Sequence, residues 1–101
     1  MIEIKIIAEF RVNADQTEAF KTLLGSALVD TRSFEGCRGV DIYEDSEKPV
    51  FYALSDWDSH SDYDKYLAWR TEQGIGDLLD PLLDGGFPGG FTVRKVVKTS
   101  L

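Results

Sequence analysis

The opening stretch IEIKIIAEFRV puts Ile2, Ile4, Ile6, Ala8, Phe10 and Val12 on one side and Glu3, Lys5, Ile7, Glu9 and Arg11 on the other. Side chains of an extended chain change face at every residue, so this period of two fits a half-buried strand and not a helix. A strand needs hydrogen-bonding neighbours, and the remaining sequence must supply a sheet. Asp15-Gln16-Thr17-Glu18 offers a helix N-cap with Glu three residues on, followed by Ala19, Phe20, Leu23, Leu24, Ala27 and Leu28 at helical spacing. Gly36 and Gly39 bracket the next strand, where Val40, Ile42 and Tyr43 lead to Glu44. Asp45 to Pro49 reads as a hairpin turn, and Val50 to Trp57 returns as the partner. Ser59, with Asp62 three residues later, opens a second helix ending near Gly74. A shorter helical piece, Ile75 to Leu83, must bend or break at Pro81. After the glycines of DGGFPGGF, Phe91 to Lys98 forms a last strand.

The order is strand, helix, strand, strand, helix, strand. An α+β, ferredoxin-like βαββαβ arrangement uses each element once, with an antiparallel sheet and both helices on one face. One domain over residues 1–101 is expected at this length. The sheet's second face carries Ile7, Tyr43 and Val96 among Glu3, Lys5, Glu9, Asp41, Arg94 and Lys98, too apolar to stay fully wet, so a homodimer is expected. The formal charge of -7 would repel a phosphate backbone, and no basic cluster offers an exception, which argues against nucleic acid as a partner. Cys37 is the sole cysteine, so no intrachain disulfide or cysteine-based metal site can form. The first residues lack the pattern of a signal peptide, and no apolar run nears membrane-spanning length. The expectation is a cytoplasmic protein with no membrane partner.

At about 100° per residue, the second helix gathers Tyr63, Tyr66, Leu67, Arg70 and Gly74 on one side, with Arg70 near the centre of that arc. A buried guanidinium needs a partner, because leaving its charge unmatched costs too much. One reading is a structural ion pair with Glu9, Asp41 or Asp56. The other is a small-molecule pocket in which Arg70, Tyr63 and Tyr66 are polar anchors among apolar groups. His60, the only histidine, sits at the start of the same helix as a candidate acid or base, or simply as an exposed first-turn residue. Trp57 and Trp69 could stack on an aromatic guest or serve as packing. Cys37, with no charged partner in view, reads as an inert small core residue rather than a nucleophile. The sequence has no phosphate-binding glycine loop before a helix, no metal-ligand spacing and no nucleophile elbow, so neither cofactor nor metal is expected. The glycines at 85–90 lie between a helix and a strand, as a surface loop or a mobile flap.

The segments FEGCRGVDIYED (34–45), FYALSDWDSHSDYDKYL (51–67) and IIAEFRV resemble, in order and spacing, the antibiotic-biosynthesis monooxygenase-like family of dimeric α+β barrels. The resemblance covers nearly the whole chain. It implies a ferredoxin-like protomer whose sheet packs on a second copy, with a pocket between sheet and helices. Members include cofactor-independent monooxygenases of phenols and quinols, and haem-degrading oxygenases. The asparagine, tryptophan and histidine of the haem-degrading branch fall here on Phe10, Tyr66 and a position near Gly76, so the cofactor-free branch fits better. With that chemistry a small phenol or quinol would be oxidised, and Arg70, Tyr66 and His60 are the catalytic candidates by their positions on the second helix, not by transfer from the family. Tyr63, Trp57, Trp69 and Phe10 would bind the substrate. The alternatives are a non-catalytic barrel that binds a small metabolite or serves as a structural dimer, and an isomerase or lyase acting on an acid.

Overall fold

A computed structural model describes residues 3–101; Ile2, the first residue of the expected alternation, lies outside the described residues. The elements are β1 (Ile4–Arg11), a 3-10 turn (Ala14–Gln16), α1 (Thr17–Ser33), β2 (Cys37–Glu44), β3 (Val50–Trp57), α2 (His60–Glu72), α3 (Ile75–Leu79) and β4 (Phe91–Val97). All three strand pairings are antiparallel, and the order across the sheet is β2-β3-β1-β4. This is the ferredoxin-like arrangement, α+β, with helices on one face.

Strand parity decides what each face carries. Ile6, Ala8 and Phe10 of β1, Val12 just after it, and Phe51, Ser55 and Trp57 of β3 are buried beneath the helices. Ile7, Tyr43 and Val96 go to the open face as expected, joined by Leu54, which pairs with Ile7 on one side and Asp41 on the other. Tyr43 there is 55% exposed.

The hairpin turn is held by Asp45, whose carboxylate accepts hydrogen bonds from the backbone N–H of Glu47 (2.8 Å) and Lys48 (3.0 Å). Ser59 caps α2 by accepting from the Asp62 N–H at 3.0 Å. The expected cap on α1 does not form. Residues 14–16 wind into the 3-10 turn first, Gln16 precedes the helix, and no side chain caps it. Gly36 has φ +90°, and a Cβ there would meet the Asp62 carboxylate at 2.6 Å, so only glycine lets the α1–β2 turn dock against the start of α2. Pro81 lies beyond α3, which stops at Leu79, as the missing proline N–H requires.

The core falls into two clusters. One contains Phe10, Phe20, Phe51, Leu79 and Leu83; the other contains Ile6, Trp57 and Tyr63. Where the first cluster faces the second, β1 and β3 present small groups, Ala8 paired directly with Ala53. Large side chains flank small ones in both strands, Ile6-Ala8-Phe10 and Phe51-Ala53-Ser55-Trp57. Close packing fails over those alanines, and a void results.

Candidate functional site

The void is a cavity of about 90 Å³ whose wall is almost wholly apolar. Ala8, Ala53, Ser55 and Trp57 form its floor, while Leu24, Ala27 and Thr31 of α1 and Tyr63, Tyr66 and Arg70 of α2 form its roof. Ile75 and Leu79 of α3, with Phe87 and Phe91, close the end near Phe10 and Phe20. For scale, a dry protein cavity of roughly 150 Å³ takes up benzene.

Arg70 is buried, and no carboxylate among the described residues lies within ion-pair distance of it. Glu9, Asp41 and Asp56 are not its partners. Glu9 bonds Arg11 and Asp56 meets Lys5 at 3.5 Å, because strand parity sends all three carboxylates to the open face, away from α2. Instead the guanidinium crosses to α1. Nη2 donates to the Ala27 carbonyl and, at 3.3 Å, to the Thr31 hydroxyl; Nε donates to the Tyr66 hydroxyl at 3.1 Å. The guanidinium also stacks 4.9 Å from the Trp69 ring centre.

Proton counting orients the rest of this network. Thr31 gives its single hydrogen to the Ala27 carbonyl at 3.2 Å, so across the 2.7 Å contact the Tyr66 hydroxyl must be the donor. Tyr66 has therefore spent its hydrogen within the protein and holds Arg70 in position. Nη1 of Arg70 donates to no described residue, and no fully buried side-chain N or O among those residues lacks a partner. Nη1 therefore keeps some exposure, and Arg70 is one of the residues that line the cavity. The Tyr63 hydroxyl is in the same situation. Burial, followed by the neighbouring Tyr66 and Asp64, pushes the Tyr63 pKa far up, so this phenol stays neutral and can donate. Ser55 accepts from Trp57 Nε1 at 2.8 Å and keeps its own hydrogen available.

The structure thus brings Arg70, Tyr66, Tyr63, Trp57 and Phe10 together around one space. It leaves two candidates outside. Trp69 packs on the outer side of Arg70 and against Phe34 at 5.5 Å. His60 turns toward β4, with Nε2 3.4 Å from the Val96 carbonyl, and is not part of the cavity wall. Its place in the first turn of α2 faces it to the strand edge, nearly three turns of helix before Arg70. Burial also raises the Cys37 pKa, the direction opposite to an activated thiol. Among the described residues no cluster of His, Cys, Asp or Glu could hold a metal, and no helix is long and apolar enough to cross a membrane.

Several wall residues escaped the sequence reading. Ala8, Ala53 and Ser55 were legible as small groups breaking a bulky inward alternation. Thr31 and Phe87 carried no such signal.

Comparisons with known proteins bear on the family and the fold. Residues 3–73 match the model of the family described as antibiotic biosynthesis monooxygenase. A Mycobacterium tuberculosis protein named "Putative monooxygenase Rv0793" is 28% identical over 82 residues, spanning 75% of this chain and 79% of that one. A crystal structure of a conserved protein from Methanosarcina mazei Go1 superposes with a TM-score of 0.79 at 23% identity, covering 95% of this chain and 92% of its own. The protein SO0527 from Shewanella oneidensis gives 0.79 at 19% identity, over 97% and 95% of the two chains. At these identities the two structures bear on the fold alone, and it is the family match over most of the sequence that decides membership: the chain belongs to the antibiotic biosynthesis monooxygenase family.

Proposed function

We propose that the protein is a cofactor-independent monooxygenase that oxidises a small electron-rich phenol or quinol inside the cavity. The observation that carries this is a guanidinium at an apolar cavity with no carboxylate to neutralise it. In such a site an oxyanion completes the hydrogen bonds of Arg70 and balances its charge far from bulk water. The Tyr63 hydroxyl, kept neutral by burial, adds a second donor to the same oxygen.

The chemistry follows from the anion. A phenolate transfers one electron to O2, and the resulting phenoxyl radical and superoxide join at an unsubstituted ring carbon, para to the oxygen in a phenol or ortho to it in a quinol. Loss of water breaks the O–O and C–H bonds and leaves a quinone. The phenol supplies all four electrons, so no external reductant is needed. Arg70 favours the phenolate, Tyr66 and Thr31 fix the guanidinium, and the apolar wall keeps water from the reduced oxygen species. No carboxylate or histidine lines the cavity, so the guest enters ionised or loses its proton to water.

The dimer belongs to the same reading: a second copy covers Ile7, Tyr43 and Leu54 on the open face of the sheet, as the amphipathic character of that face favours.

Oxygen uptake with a panel of substituted single-ring phenols and hydroquinones tests the activity. For Arg70→Ala the expected loss in kcat/KM is about 10²–10³-fold, the usual effect of removing one oxyanion donor. Turnover undiminished in that variant would refute the role of Arg70, and no uptake with any compound would refute the activity. One observation favours a second reading. The bonds from Arg70 to Ala27 and Thr31 tie α1 to α2, as a purely structural staple would. Under that reading Arg70→Ala lowers the melting temperature, and no phenol binds the unaltered protein.

A further inference from the structure

Resting on the phenol-site reading, we propose that Phe87 sets the size of the guest, so that the site takes single-ring phenolates and excludes fused two-ring ones. The loop that carries it is pinned rather than free. The Phe87 N–H donates to the Asp80 carboxylate at 2.9 Å, Gly86 N–H to the Leu83 carbonyl at 3.0 Å, and Gly90 N–H to the Gly86 carbonyl at 2.7 Å. Arg11 fastens the far side, its N–H donating to the Gly90 carbonyl at 2.9 Å and its Nη2 to the Gly89 carbonyl at 2.8 Å. A loop so held presents a fixed wall.

The Phe87 ring lies against the backbone of α3. A Cβ added to Gly76 would come within 2.9 Å of Phe87 Cδ1, so the absence of a side chain at Gly76 makes the seat for the ring. Its other neighbour is Phe91, with ring centres 5.5 Å apart. Seated there, Phe87 shuts the Phe10 end of the cavity, while Trp57 and Tyr63 shut the other. The cavity of about 90 Å³ is smaller than the roughly 150 Å³ one that takes up benzene, so one ring beneath Arg70 already fills it and a second fused ring would have to displace Phe87. The remaining groups at that end, Phe10, Phe20, Ile75, Leu79 and Phe91, all belong to regular elements. Phe87 is half-buried on a loop, so it is the residue at which size can change without loss of the fold.

The test is a pair of dissociation constants, measured by tryptophan fluorescence quenching above the pKa of both probes, for 4-nitrophenolate and 4-nitro-1-naphtholate. Expected for the unaltered protein is a preference of about tenfold or more for the single ring. Phe87→Ala should invert that preference, Phe87→Val should shift it in the same direction, and Phe87→Leu should nearly retain it. The valine variant keeps the test decisive if the alanine variant does not fold. An unchanged preference in Phe87→Ala or Phe87→Val, with single-ring binding still lost in Arg70→Ala, overturns the size limit and leaves the phenol site standing. Equal binding of both probes by the unaltered protein also overturns it. If neither probe binds the unaltered protein, the phenol site itself fails and the size limit with it.

Discussion

Two groups at the cavity, Arg70 and Tyr63, owe their chemistry to what is missing around them. Arg70 lacks a carboxylate, and Tyr63 lacks water. Tyr63 holds its proton because burial penalises the phenolate, so its folded-state pKa lies above the ordinary value of about 10. The unfolded chain therefore releases this proton first as pH rises. The stability Tyr63 contributes is whole below pH ~10 and declines above it, by at most ~1.4 kcal/mol per pH unit. In urea titrations the Tyr63→Phe variant is expected to lose less stability than the unaltered protein between pH 10 and 11. Parallel losses would contradict the buried neutral phenol. With His60 outside the cavity, the rising limb of kcat/KM against pH is expected to follow the ionisation of the guest. Phenols of lower pKa should move that limb down by the same amount, and His60→Gln should leave it in place. A limb fixed across substrates and lost in His60→Gln would restore His60 as the base. Helical periodicity alone placed Arg70 on an inward face, whereas its partners Ala27 and Thr31 could not be read. They meet it only through the packing of α1 on α2; periodicity put Ala27 on the inward face, but it marks neither a backbone carbonyl nor Thr31 as a partner. The expected ion pairs failed for a reason already in the sequence: alternation puts Glu9 on the side of β1 opposite Phe10.

At the level of elements, the pairing of Ala8 on β1 with Ala53 on β3 opens the space that α1 and α2 roof over. A void in a core is ordinarily a loss, and filling one commonly stabilises by about 0.5–2 kcal/mol. Ala53→Val adds bulk there and a β-branched residue suited to a strand. It is expected to raise the melting temperature, by about 4–8 °C for each kcal/mol gained in a domain of this size. Binding of a single-ring phenolate should weaken by about tenfold or more. A variant that binds as before would show that the guest sits elsewhere. The strands and long helices were legible because each has one wet and one dry face. The 84–90 loop was not, because its shape rests on separate hydrogen bonds from Asp80 and Arg11 rather than on any repeat.

Across the whole molecule, the helices cover one side of the sheet and leave Tyr43 and its neighbours on the other. In the proposed dimer, Leu54→Asp would set a new carboxylate beside Asp41 at the centre of the contact. Light scattering on the eluting peak is expected to move from dimer to monomer mass; a dimer mass kept in the variant would place the contact elsewhere, and a monomer mass for the unaltered protein would refute the dimer. The order of elements made the fold readable from sequence. The void was not, since it depends on the register of two strands far apart in the chain.

The gap between the two apolar clusters bears on how the protein responds to compression. A folded chain that encloses empty space occupies more volume than the hydrated coil, so hydrostatic pressure tilts the balance toward unfolding in proportion to the space lost. A resident guest removes that vulnerability, and the pressure at which the fold gives way becomes a gauge of occupancy that needs no turnover.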